Sequence, residues 1–201
     1  MTRRLTRRFY RQDPVSVARG LLGMRLVRVT SGRRLSGVIV ETEAYLGTKD
    51  QAAHTCQGRR TPRNESMWGD GGHAYVYFTY GMHHCFNIVT SRSEDPCAVL
   101  IRALQPDEGR EEMVQRRKAA RKDTELCSGP ARLCQALDID RRLDGVDLVD
   151  GDALFVERIH ARSLMSPVIV ARRRIGVDYA GAWARRLLRY YLRGNPHVSK
   201  A

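Results

Sequence analysis

The chain has 201 residues, 42% of them hydrophobic, enough for one folded unit with a real core and too few for several domains. Its 35 Lys and Arg outnumber 22 Asp and Glu and leave a formal charge of +13, which favours a polyanionic partner such as nucleic acid. No run reaches the roughly 18 apolar residues of a membrane span, and residues 1–8, Met-Thr-Arg-Arg-Leu-Thr-Arg-Arg, lack the apolar segment of a secretory signal. A cytoplasmic protein without membrane contact is expected, its first eight residues forming a flexible basic arm.

Asp13-Pro14 reads as a helix cap and first helical residue, leading into a helix over 15–22 that Gly23 stops. Residues 24–29 and 35–43 read as strands around a Ser31-Gly32 turn. Alternation along the second strand puts Ile39, Glu41, Glu43 and Tyr45 on one face, with Val38, Val40, Thr42 and Ala44 on the other. Residues 47–72 are rich in Gly, Arg, Thr, Asn and Asp and show no period, so a long functional loop is expected. Residues 74–79 and 83–90 form a hairpin whose tip is Tyr80-Gly81-Met82. An apolar strand over 97–104 precedes a charged, solvated helix over 107–122, and Ser128-Gly129-Pro130 opens another helix over 131–137. Strands follow at 153–157 and 168–172, whereas 183–191 carries apolar residues without a decisive period. The sum is an α+β single domain over 1–201: a curved, mainly antiparallel sheet with surrounding helices and a protruding β-hairpin.

Two same-face carboxylates in an apolar strand must be paired, desolvated or served by a cleft. One of Glu41 and Glu43 pairs with arginine and the other is a candidate general base; strand geometry does not say which. Tyr75 and Tyr77 share a face, and Tyr80 either projects from the hairpin tip as a wedge or folds back on the core. His54 is either a pocket residue or an ordinary loop histidine. Together, carboxylates followed by spaced aromatics suit stacking of a flat ring beside a bond to be attacked, and on a basic protein that ring is a nucleobase.

The five cysteines at 56, 85, 97, 127 and 134 are scattered with no Cys-x-x-Cys pair, so free thiols are expected. A zinc nucleobase deaminase needs His-x-Glu and Pro-Cys-x-x-Cys, and neither occurs. His83 and His84 are adjacent and point to opposite faces of a strand, so no metal site and no cofactor are expected. Lysine occurs only at 49, 118, 122 and 200, which leaves few amine nucleophiles and favours water. A basic nucleic-acid-binding module without catalysis would use the same surface and pocket, but would gain nothing from a carboxylate there.

The stretches Val-Glu-Thr-Glu-Ala-Tyr-Leu-Gly at 40–47, Ala-Ala-His at 52–54, Thr-Pro-Arg-Asn at 61–64, Tyr-Val-Tyr at 75–77 and Tyr-Gly-Met at 80–82 resemble the alkyladenine (3-methyladenine, or N-methylpurine) DNA glycosylase family. The likeness continues through Cys85, Asn87-Ile88, Leu-Ile-Arg-Ala-Leu at 100–104, Glu-Leu-Cys-Ser-Gly-Pro at 125–130 and Arg-Ile-Gly-Val at 174–177, so it runs through most of the chain. His83 and His84 stand where some relatives carry aromatics.

The resemblance implies a monofunctional DNA repair glycosylase, a monomer acting on double-stranded DNA that contains damaged purines. It implies that Glu43, rather than Glu41, activates the hydrolytic water, helped by Arg102 and the backbone carbonyl of Ile175. Tyr45, His54 and Tyr77 would line the pocket and sandwich a flipped base, and Asn87 would reject purines with a 2-amino group. Tyr80, with Met82 beside it, would enter the duplex where the base had been.

Overall fold

The computed structural model describes residues 4–159 and 168–200. Two short helices open the chain, α1 (Arg7–Tyr10) and α2 (Pro14–Leu21). Asp13 caps α2 through its side chain, which accepts from the amides of Val15 and Ser16 at 3.0 Å each. The strands are β1 (Arg25–Thr30), β2 (Arg33–Tyr45), β3 (Ala74–Thr79), β4 (His83–Thr90), β5 (Cys97–Pro106), β6 (Leu154–Glu157), β7 (Ile169–Arg172) and β8 (Arg189–Leu192). Helices α3 (Arg110–Arg116) and α4 (Pro130–Leu137) lie between β5 and β6. All pairings are antiparallel, in the order β3-β4-β5-β2-β1-β6, with β8 joining β2 and β7 joining β8. The α+β class and the antiparallel sheet are as the sequence predicts.

β2 organises the sheet because it is long enough to serve three partners. Arg33–Val38 pairs with β1, Glu41–Glu43 pairs with β8, and β5 runs along its other edge. At Glu41 the ladder with β5 is irregular: Ile39 faces Leu104 and Thr42 faces Ile101, but Glu41 faces Ala103, leaving Arg102 out of one-to-one pairing. On both strands the core-facing residues change parity there. Ile39 and Leu104 pack in the main core on one side of the irregularity, Ala44, Ile101 and Val99 on the other. Strict alternation, which groups Ile39 with Glu41 and Glu43, is therefore wrong for Ile39.

One face of the sheet packs on α2 and α4 through Val17, Leu21, Phe86, Ile88, Leu133 and Leu137, all essentially inaccessible. Thr42 is held on that face by donating to the Ala18 carbonyl at 2.9 Å. The opposite face carries the polar and aromatic residues of the site.

Two further expectations need correction, and one segment without a period finds its explanation. From Arg4 onward the N-terminal residues are part of the fold: Arg4 bridges to Glu157, Leu5 is buried with its amide on the Val156 carbonyl, and Arg7 pairs with Asp147 at 2.5 Å. Residues 1–3 of the expected arm lie outside the described residues. The helix expected over 107–122 is confined to α3, and Met113 is wholly buried, so that segment is anchored rather than solvated. The segment 183–191 crosses from a 3₁₀ run, Asp178–Arg185, into β8, which is why no single period fits it.

Phe86 sits on the core face of β4, directly behind Cys85 and Asn87, with no exposed surface. Phe86→Ala should lower unfolding free energy by about 3–5 kcal/mol, the usual cost of a lost aromatic plus its cavity. The guanidinium unfolding midpoint measures this, and a loss below about 1 kcal/mol would contradict the packing described.

Candidate active site

Four ladders set the site in a row. Tyr75 faces Asn87, Asn87 faces Leu100, Leu100 faces Glu43, and Glu43 faces Arg189, so β3, β4, β5, β2 and β8 each supply one side chain to the same face. Residues two positions along add Tyr77, Cys85, Arg102, Glu41, Tyr45 and Ala98 to that face. A cavity of about 240 Å³ opens over it, lined by Tyr45, His54, Tyr75, Tyr77, Cys85, Asn87, Leu100, Arg102 and Ile175 among others. The space is below that of drug-sized pockets and suits a single flat ring system.

Glu43 has no exposed surface and lies just behind the cavity wall. Its Oε1 accepts the Ile175 amide at 2.8 Å and lies 3.3 Å from Arg102 Nη1, while Oε2 accepts the Tyr45 hydroxyl at 2.9 Å. All three of these partners line the cavity. The Ile175 amide thus binds the carboxylate itself, a contact additional to the help with the hydrolytic water that the sequence reading expects of its carbonyl. Glu41 is equally buried and is held by Arg102 Nε at 3.2 Å, Arg189 Nη1 at 2.8 Å and the Ser199 amide at 2.8 Å. The alternative of one paired and one free carboxylate therefore resolves differently: both carboxylates touch Arg102. Burial by itself would weaken the hold of the Arg102 guanidinium on its proton, but the adjacent Glu43 and Glu41 charges outweigh this and strengthen it.

The aromatic wall comes from two sources. Tyr77 and Tyr75 project from β3, their rings 5.4 Å apart, and His54 meets Tyr77 edge-on at 4.6 Å. His54 is delivered by the 47–72 loop, which is held by short 3₁₀ turns at Gly47–Lys49, Cys56–Gly58 and Glu65–Trp68 and by side-chain bonds. Asn64 ties it by donating to the carbonyls of His54 and Arg59 and accepting from the Thr61 amide. Asp50 ties it from the other end, accepting from the amides of Leu46 and Ala52 and pairing with Arg174 at 2.5 and 2.8 Å. Arg174 in turn lies 4.7 Å from the centre of the Tyr45 ring, fixing the wall opposite. Arg174, Asp50 and Arg189 had no assigned role in the sequence reading: each is a partner across more than a hundred residues or a loop, where no spacing signals it.

Burial, reinforced by the Arg63 and Arg59 charges, pushes His54 down to about 4, so its ring is neutral near pH 7. Burial also pushes the Tyr77 and Tyr45 hydroxyls up, keeping both rings uncharged. A wall of neutral rings stacks an aromatic guest without a desolvation cost for charge.

Asn87 is buried at the cavity wall and donates to the Tyr75 carbonyl at 3.2 Å. Tyr80 is 85% exposed at the hairpin tip, at the cavity mouth. The Met82 amide bonds the Thr79 carbonyl, and Tyr80 and Gly81 both have positive φ, 51° and 68°, as a type I′ turn requires. A tyrosine in that conformation is costly and uncommon, so the turn holds the ring outward. Met82 is 70% exposed on the far side of the tip and borders a groove with His83 and His84 rather than the cavity. All five cysteines are free.

Residues 8–196 match the family model for methylpurine-DNA glycosylase (MPG). The DNA-3-methyladenine glycosylase of Homo sapiens is 48% identical over 205 residues, covering 98% of this chain and 68% of that protein; its Mus musculus counterpart is covered over 61% of its length. A putative 3-methyladenine DNA glycosylase of Methanocella arvoryzae is also 48% identical, over 98% of this chain and 96% of that protein. The family model and these relatives define a DNA glycosylase, an enzyme that hydrolyses N-glycosyl bonds. Within that class, the chain belongs to the methylpurine-DNA glycosylase family.

The unfolded histidine value of 6.5 against about 4 for His54 fixes a pH dependence of stability. Because the folded value is the lower, the unfolded chain binds the extra proton, and His54 costs stability as pH falls from about 6.5 to about 4. The cost reaches about 2–3 kcal/mol at the acid end. NMR of the His54 ring should show titration near pH 4, and His54→Gln should flatten the stability profile in that window; a ring titrating at 6 or above contradicts its burial.

Proposed function

We propose that the protein is a monofunctional repair glycosylase that turns a damaged purine out of duplex DNA into the cavity and hydrolyses its N-glycosidic bond, leaving an abasic site. The observation that carries this reading is Glu43, a fully buried carboxylate ringed by cavity-lining donors in a protein of charge +13. A negative charge is kept beside a DNA pocket only at a cost, and breaking a glycosidic bond repays that cost because positive charge develops on the sugar. Oε1 already meets the Ile175 amide and Arg102, whereas Oε2 meets the Tyr45 hydroxyl, so the second acceptor site of Oε2 is the one offered to a water. Arg102 and the Ile175 amide fix the orientation of the carboxylate, and Glu43 then takes a proton from the water as it attacks C1′.

Tyr45 on one side and Tyr77 with His54 on the other would hold the base, stacking being worth roughly 1–3 kcal/mol. That is comparable to the few kcal/mol needed to extrude a damaged base. Tyr80, held outward by its turn, fills the vacancy in the duplex, with Met82 bracing the neighbouring base step. Exposed arginines supply sequence-independent phosphate contacts. Alkylated purines such as 3-methyladenine fit this chemistry best because a cationic ring leaves readily. Hypoxanthine and etheno adducts, being neutral, depend more on Glu43.

Glu43→Gln should retain duplex binding while base release from DNA carrying 3-methyladenine or hypoxanthine drops by about 10²-fold or more, as for loss of a general base. Alkaline cleavage of labelled duplexes reads this, and near-normal release would sink the assignment. Glu41→Gln is no neutral control, since Glu41 shares Arg102 with Glu43.

Asn87 should set discrimination against guanine, which differs from hypoxanthine by its 2-amino group. Asn87→Ser removes bulk from the wall and should raise guanine release relative to hypoxanthine, the gain being about tenfold if the clash is worth about 1.4 kcal/mol. Matched duplexes and both enzymes suffice for the comparison, and an unchanged ratio places discrimination elsewhere.

A further inference from the structure

Arg102 is asked to serve two carboxylates with one positive charge, and the second charge in the cluster comes from Arg189. Arg189 stands directly across from Glu43 in the β2–β8 ladder, yet its Nη1 reaches diagonally to Glu41 Oε1, 2.8 Å away. It is 5% exposed, and its guanidinium is locked by donating to the carbonyls of Arg173 at 2.9 Å and Lys200 at 2.5 Å. The Ser199 amide completes the shell of Glu41. Two buried carboxylates and two buried guanidinia therefore form a neutral set, with only Arg102 in contact with both acids.

We propose that Arg189 is a positioning residue for base release: by neutralising Glu41, it leaves the Nη1 end of Arg102 aimed at Glu43. This rests on the reading of Glu43 as the general base. Without Arg189, Glu41 keeps only Arg102 Nε and one amide while fully buried. It must then either draw Arg102 wholly to itself or take up a proton, and the first course leaves Glu43 with less positive charge beside it. The charged and titratable groups facing Glu43 are Glu41 and Tyr45 on β2, Arg102 on β5, Cys85 on β4, Tyr77 on β3, Arg174 in the segment after β7 and Arg189 on β8. Arg174 is already engaged by Asp50, so among the described residues no second guanidinium takes over from Arg102.

The test is single-turnover release of 3-methyladenine from duplex DNA between about pH 5 and about pH 9, with undamaged-duplex affinity measured alongside. In Arg189→Met the acidic limb should move upward by about one pH unit, as for loss of one nearby opposite charge. Affinity for undamaged DNA should stay within about twofold, since Arg189 has no surface for phosphate. Arg189→Lys, which keeps the charge, should recover most of the limb. A rate that falls equally at every pH, with the limb unmoved, overturns the proposal. Should Arg189→Met fail to fold, Glu41→Gln and Glu41→Gln/Arg189→Met form the decisive pair, because an effect exerted through Glu41 gives them the same profile. A further shift in the double variant shows that Arg189 acts otherwise and also overturns it. Glu43→Gln separates the two readings. Full release in that variant removes the general base and this proposal together, whereas an inactive Glu43→Gln beside an unmoved limb in Arg189→Met removes the positioning role alone.

Discussion

The register of β2 against β5 is the constraint on which the rest of the site depends. It sets Leu100 against Glu43, joining the row from Tyr75 and Asn87 to Arg189 that the other three ladders continue, and at its local irregularity by Glu41 Arg102 meets both acids. A slip of one residue would send each side chain to the opposite face and bury the core residues in the cavity. Such a slip is opposed from the other side by Ile39, Ala44, Val99 and Ile101, which have nowhere to go but the helices. The hydrophobic core and the polar site are thus two faces of one alignment, and the stability of the first is what gives precision to the second.

Electrostatically, the molecule is divided between its surface and its sheet. The excess arginine lies largely outside, where it attracts a polyanion without ordering it. Within the sheet the charges balance locally, two acids to two guanidinia, with a third pair, Asp50 and Arg174, clamping the loop that carries His54. The histidine and tyrosine rings facing the cavity are kept neutral by burial. A guest therefore meets neutral rings, with the Arg102 guanidinium in the cavity wall and the Glu43 carboxylate just behind it, a different environment from a surface of phosphate-binding arginines alone.

Much of this was legible in the chain before folding. Period-two alternation correctly put Glu41, Glu43 and Tyr45 together, and Tyr75 with Tyr77, because pleating acts residue by residue and needs no partner. The hairpin over 74–90 and its Tyr80-Gly81 tip were equally local. Ile39 was misplaced because a ladder irregularity depends on what β5 does some sixty residues later. The partners of Arg189 and Arg174 were invisible for a related reason: an ion pair formed across the fold leaves no period or spacing in either partner's neighbourhood. The arm was misread because arginine near a terminus looks solvated until its acidic partners, Asp147 and Asp152, are brought alongside.

β8 is the last strand in chain order, and it supplies the fourth charge of the buried set. During synthesis the acids of β2 emerge from the ribosome long before it does, so any early assembly of the sheet holds two carboxylates against one arginine. Such an intermediate resists closing, because burying the unmatched charge is unfavourable. A truncated product would likewise lack a finished pocket. The order of the polypeptide itself thus leaves the buried charge set incomplete until β8 has been made.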